Sequence, residues 1–145
     1  MRMNLRNERG QALLETAIAL PLVLLISVGI FEFGRAYQTQ QVLTNAAREG
    51  ARVAILSGQP VGAVQARVTA YATAGQISNP ETAVASVTAT DVSIGGGNTT
   101  PGSRVTVTYP YAFMVLQPVA RLIVRTTTVG SAFTMRATAE MRNEQ

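Results

Sequence analysis

The chain has 145 residues, a net charge of +4 and neither cysteine nor histidine. That leaves room for one small core plus a membrane-type segment, and excludes disulfide stapling, thiol nucleophiles and the usual zinc or haem ligands. All 12 basic residues are arginine; three lie in the first ten positions and the rest are scattered, without the basic stripe of a nucleic-acid binder.

Residues 1–10 form a basic leader with Arg2, Arg6 and Arg9 against Glu8. From Ala12 to Phe31 the only charge is Glu15, and 20 helical residues rise about 30 Å, one hydrocarbon core. A cleaved secretory signal also starts basic and turns apolar. Here the apolar stretch is long, contains a carboxylate and is not followed by an A-x-A site. The arginine bias predicts a cytoplasmic N-terminus, with Glu32 and Arg35 cancelling on the far side and everything beyond Phe33 outside the membrane. Pro21 removes a helical amide in mid-span, so a kink or local unwinding is expected there. Gly29 and Gly34 are five apart and do not make a G-x-x-x-G face.

Helical character continues to Leu56. Phe33, Tyr37, Leu43, Ala47, Gly50, Ala51 and Ala54 recur at mostly three- to four-residue intervals, interrupted by Gln40, with Gly58 as the stop and Pro60 beyond it. Ala46, Ala47, Gly50, Ala51 and Ala54 make a small-residue surface, suited first to packing against the domain's own sheet and second to a subunit contact. Pro60 opens a second helix with Val61, Val64, Val68 and Tyr71 on one face and Gly75 as its stop. Asn79-Pro80 marks a turn.

Beyond that turn the period shifts towards two. Ala83 to Ile94 reads as a strand with a phase slip near Thr90-Asp91, and Gly95-Gly96-Gly97-Asn98 as a flexible connection. Val105, Val107, Tyr109, Tyr111 and Phe113 alternate with polar or small residues, a strand that Pro110 would place at an edge. Phe133 to Arg142 alternates most cleanly of all. Phe113 to Val124 reads either as a short helix broken at Pro118 or as an exposed apolar lobe; it is an interaction site or a buried connection under the sheet. The expected fold is therefore α+β: a long N-terminal membrane helix running into a small domain with a second short helix and an antiparallel sheet of three to four strands.

Several of these segments resemble the TadE-like family of the tight-adherence pilus system. They are Ala19-Leu20-Pro21-Leu22, Gly29 to Arg35, Gln41 to Arg52, and the closing Ala137 to Arg142. The leader, Gln11, Glu15 and apolar helix together are similar to the class III signal of type IV pilin-like proteins. The resemblance implies cleavage between Gly10 and Gln11 by a membrane prepilin peptidase. Glycine there would let extended backbone approach the enzyme closely. It further implies that the Glu15 carboxylate pairs with the new Gln11 amine, in the same subunit or a neighbour; the alternative is a Glu15 that snorkels to the interface. Gln11 in place of an apolar or aromatic first residue argues against a major pilin of the general class.

On this reading residues 1–10 are a leader, 11–33 the membrane part of the helix and 34–145 an extracytoplasmic domain of an inner-membrane protein. Its implied partners are the peptidase, other pilin-like subunits, platform proteins of the pilus machine and the membrane. No catalytic constellation is evident: Glu81 and Asp91 converge with nothing, the Gly95–Gly97 run lacks the lysine and helix of a phosphate loop, and no cofactor or metal is called for. Three functions remain in view: a minor subunit or assembly factor of a tight-adherence pilus, a pseudopilin-like component of a secretion or DNA-uptake filament, and a single-pass anchored binding domain.

Overall fold

The computed structural model describes residues 5–56, 59–123 and 131–143. Helix α1 (Leu5–Ala54) is followed by α2 (Val61–Ala74), a 3-10 turn at Pro80–Thr82, strands β1 (Val84–Gly95) and β2 (Asn98–Tyr111), helix α3 (Leu116–Ile123) and strand β3 (Phe133–Arg142). The 50 residues of α1 would extend about 75 Å if straight. The expected α+β architecture is present, with three strands in an antiparallel meander ordered β1-β2-β3. The expected helix stop, Gly58, lies outside the described residues.

The first half of α1 makes no core. Residues 10–27 are exposed all round, whereas burial on one side begins at Glu32. From there the inward positions are Glu32, Ala36, Thr39, Leu43, Ala46 with Ala47, and Gly50 with Ala51, the three- and four-residue spacing of one helix face. This corrects the expected face at its start: Phe33 and Tyr37 are 65% and 68% exposed. Two polar residues occupy the core positions instead. Thr39 satisfies its hydroxyl on the Arg35 carbonyl at 3.0 Å, and Glu32 finds partners across the domain. Gln40, which interrupts the apolar pattern, donates to the Arg136 carbonyl of β3 at 3.1 Å.

The small-residue surface of α1 serves the domain itself. Ala46, Ala47 and Ala51 are fully buried. A Cβ on Gly50 would meet Val68 at 2.9 Å and both Val64 and Val105 at 3.3 Å, so at this point α1 lies against α2 and β2 together. Val64, Val68 and Ala72 form the buried stripe of α2, with Tyr71 half-buried, Val61 exposed and Pro60 at the N-cap, one position ahead of where it was expected. Glu49 joins the two helices by bonds to Arg52 at 2.9 Å and Arg67 at 3.0 Å. The Gln65 amide on α2 donates to the Ala83 carbonyl and accepts from the Ala85 amide, each at 2.8 Å, which occupies backbone groups at the start of an edge strand.

The sheet turns Val105, Val107, Tyr109, Met135, Ala137 and Ala139 towards the helices. Its other face is polar: Arg104 pairs with Glu140 at 2.6 Å, and Thr106 lies 3.3 Å from Thr138. Register between β1 and β2 is regular from Val84 to Ser93 and shifts only between Ser93 and Gly95, so the expected slip at Thr90-Asp91 is absent and the irregularity belongs to the turn. Gly96 and Gly97 stand at φ 62° and 81°, the positive pair that a two-residue hairpin turn requires and glycine supplies without strain. Pro110 is on the central strand, not an edge strand. It is tolerated because β1 pairing stops at Thr108, which leaves Pro110 only its β3 neighbour Thr134.

Tyr109 donates its hydroxyl to the Ser78 carbonyl, and Tyr111 is 2% exposed. Burial raises both phenol pKa values above their ordinary 10.0, only partly opposed by the Arg35 charge. The folded state therefore holds these protons more tightly than the unfolded chain does. The stability they contribute is complete below pH 10 and is lost as pH rises through the folded values. Lysine, cysteine and histidine side chains are absent, so an unfolding midpoint that falls above about pH 10 reports tyrosine ionisation. In a pH series of thermal melts, Tyr111→Phe is expected to flatten that fall.

Candidate functional site: the helix exit and the leader junction

Where α1 leaves its fully exposed segment, Glu32 is completely buried. Its carboxylate accepts from the backbone amide of Met114 at 3.0 and 3.2 Å and from that of Val115 at 2.9 Å. Val115 immediately precedes α3, and its carbonyl accepts the first helical bond, from Val119 at 3.1 Å. Glu32 thus performs for α3 what a capping-box glutamate performs within its own helix: it satisfies an amide at the helix start and places negative charge at the positive end of the dipole.

Arg35, one turn on, completes this corner. Its guanidinium lies 3.6 Å from the Glu32 carboxylate, donates to the Ala112 carbonyl at 2.8 Å and sits 5.0 Å above the Tyr111 ring. Tyr111, Phe113 and Phe133 are mutually in contact at centroid distances of 5.4 to 5.8 Å, and Phe33 extends the row from α1 at 6.1 Å from Phe113. The segment after β2 is therefore tied to α1 by two backbone amides on Glu32, the Arg35 bond to the Ala112 carbonyl and a row of aromatic rings. These bonds place the segment from Phe113 into α3; Val124 lies outside the described residues. Helix α3 carries Pro118 in its first turn, where a missing amide is harmless, so the helix is not broken there, and Val115, Leu116 and Val119 are half-buried.

In the sequence, Glu32 and Arg35 look only like charges that cancel. The available signal was positional: Glu32 falls on the 36-39-43-46-50 face, where an acid must be satisfied or costly.

The residues expected to carry processing and assembly lie about 25 Å (Glu15) to about 33 Å (Gly10) along the helix from this corner, at the helical rise per residue. Gly10 and Gln11 are inside α1 and exposed. Gln11 and Glu15 are four apart and so share one strip of helix surface. Among the described residues no cation pairs with Glu15. Nothing lies within 4 Å of a Cβ built on Gly10, so the chain's own packing does not require glycine there. The helix continues without a break through Pro21, so local unwinding at that residue is not seen. None of these residues is brought near the globular domain. Among the described residues no group of three metal-ligating side chains occurs.

Glu32→Ala would strand two amides and the buried side of Arg35, an expected loss of about 3 kcal/mol. Glu32→Gln keeps one acceptor oxygen and is expected to lose roughly 1 kcal/mol. Denaturant unfolding in detergent micelles measures both, and hydrogen exchange at Met114 and Val115 should accelerate in the alanine variant.

No curated protein and no solved structure matches this chain. One family model does. Residues 10–52, which span the exposed apolar helix, the Glu32–Arg35 corner and the small-residue face, match the family described as TadE-like protein.

Proposed function

We propose that the chain is a pilin-like minor subunit or assembly factor of a tight-adherence pilus, anchored in the inner membrane by α1 and processed between Gly10 and Gln11. The observation that carries this reading is the helix itself. Among the described residues one helix is long and apolar enough to cross a membrane, and none of its apolar window is buried by the rest of the chain. It runs without interruption into the domain it carries, and the family match begins at the residue where cleavage is proposed. A surface of Leu13, Leu14, Ile18, Leu22 and Leu24 exposed by more than half needs lipid or other helices around it.

Proteolysis supplies the electrostatic switch. Before cleavage the Gln11 nitrogen is a helical amide; after it, an ammonium group stands on the strip that holds Glu15. A carboxylate at the inner edge of the bilayer is costly when alone and stabilised when paired. The pair would therefore favour the mature subunit in an assembly, through its own amine or a neighbour's. The peptidase needs extended backbone, and Gly10 eases that local unwinding, being about 1 kcal/mol worse than alanine in a helix interior. Partners on this reading are the peptidase, platform proteins and other pilin-like subunits, with the domain from residue 34 outside the membrane.

Mass spectrometry of the protein isolated from its native membrane tests the reading: an N-terminus at Gln11 is expected, and an intact Met1 in working pili would overturn it. Gly10→Leu should abolish cleavage while leaving helicity unchanged. Glu15→Ala should be cleaved normally yet recovered in smaller amounts with its pilus partners, as read by co-purification.

A further inference from the structure

Glu32 fixes more than the start of α3: it fixes where α3 sits along α1. The carboxylate sits at the end of the uncharged run, and its bonds of 2.9 to 3.2 Å to Met114 and Val115 hold the loop before α3 beside the last turn of the apolar helix. Apolar exposure crosses that junction without a gap. Ile30, Phe31 and Phe33 on α1 are 71%, 60% and 65% exposed, and Met114 and Phe133 on the domain are 61% and 45% exposed. The Phe33, Phe113 and Phe133 rings join the two groups in one row. Two arginines lie on the same elements: Arg35 on α1, with its side chain 22% exposed, and Arg121, exposed on α3.

We propose that this collar is a membrane-contact surface: the Met114 loop, Phe133 and the first turn of α3 rest in the boundary between headgroups and acyl chains of the outer leaflet, so the domain lies against the bilayer rather than standing off it on a free helix. The proposal rests on α1 spanning the membrane. Continuity identifies the occupant, because any phospholipid packed around Ile30 and Phe31 reaches Phe33 and the residues attached to it. Aromatic and apolar side chains backed by arginine are the composition that this boundary layer favours. The contact would hold the domain in one orientation about α1 before assembly.

The chain has no tryptophan, so single substitutions give clean reporters. Full-length Met114→Trp, Phe133→Trp, Leu24→Trp (inside the span) and Thr88→Trp (on the exposed face of the sheet) are reconstituted in phosphatidylethanolamine–phosphatidylglycerol vesicles. The lipids carry bromine either near the headgroup end or near the methyl end of the acyl chains. The expected result is quenching of Leu24→Trp chiefly by the deep bromine, of Met114→Trp and Phe133→Trp chiefly by the shallow bromine with blue-shifted emission, and of Thr88→Trp by neither. Quenching of Leu24→Trp without quenching of either collar reporter overturns the proposal and leaves the span intact. Absence of quenching at Leu24→Trp overturns the span and the proposal together. Collar reporters shielded from aqueous acrylamide yet untouched by bromolipid are covered by another copy of the chain, which also overturns it.

Discussion

One buried carboxylate sets the geometry of this protein. Glu32 has no solvent and no adjacent lysine or histidine to share its charge with; it is stable inside the domain only because two backbone amides and Arg35 converge on it. Those amides belong to a segment 82 and 83 residues further along the chain. The bond therefore closes the fold, tying the end of the apolar helix to the connection between the second and third strands. An apolar residue at position 32 could pack there but would leave the start of α3 without acceptors.

The same corner separates two environments along a single helix. From Ala12 to Ser27, side chains on all sides of α1 are exposed and mostly apolar; after Glu32, one side enters a core that is rich in alanine and valine. A helix can cross between such environments without a break because its backbone bonds are internal in both. What changes is only the side-chain surface: large aliphatic residues where lipid or other helices must be met, small ones at Ala46, Ala47, Gly50 and Ala51 where α2 and β2 approach the backbone.

Much of this was legible locally. The long helix, α2, the third strand and the hairpin glycines follow from periodicities of 3.6 and 2 and from residues that permit positive φ. Gly10, Gln11 and Glu15 lie within one and a half turns of each other on α1. Three features did not read. Pro110 points to an edge strand, yet β2 is central, because what matters is where its neighbour β1 ends. Pro118 looks like a break but falls in the first turn of α3. Phe33 and Tyr37 precede Leu43 and Ala47 at near-helical spacing, but at this end of the helix the inward positions are Glu32, Ala36 and Thr39.

By itself, then, the sequence determined the elements that depend on near neighbours: an apolar helix of membrane length with a lone acid at its head, a small-residue continuation, and alternating strands joined by a glycine turn. Only the tertiary structure decided which charged residue is interior and which strand is central. Burying a carboxylate is a matter of whether distant amides arrive to meet it. No periodicity in residues 32 to 35 encodes the arrival of Met114 and Val115; the sheet carries them there.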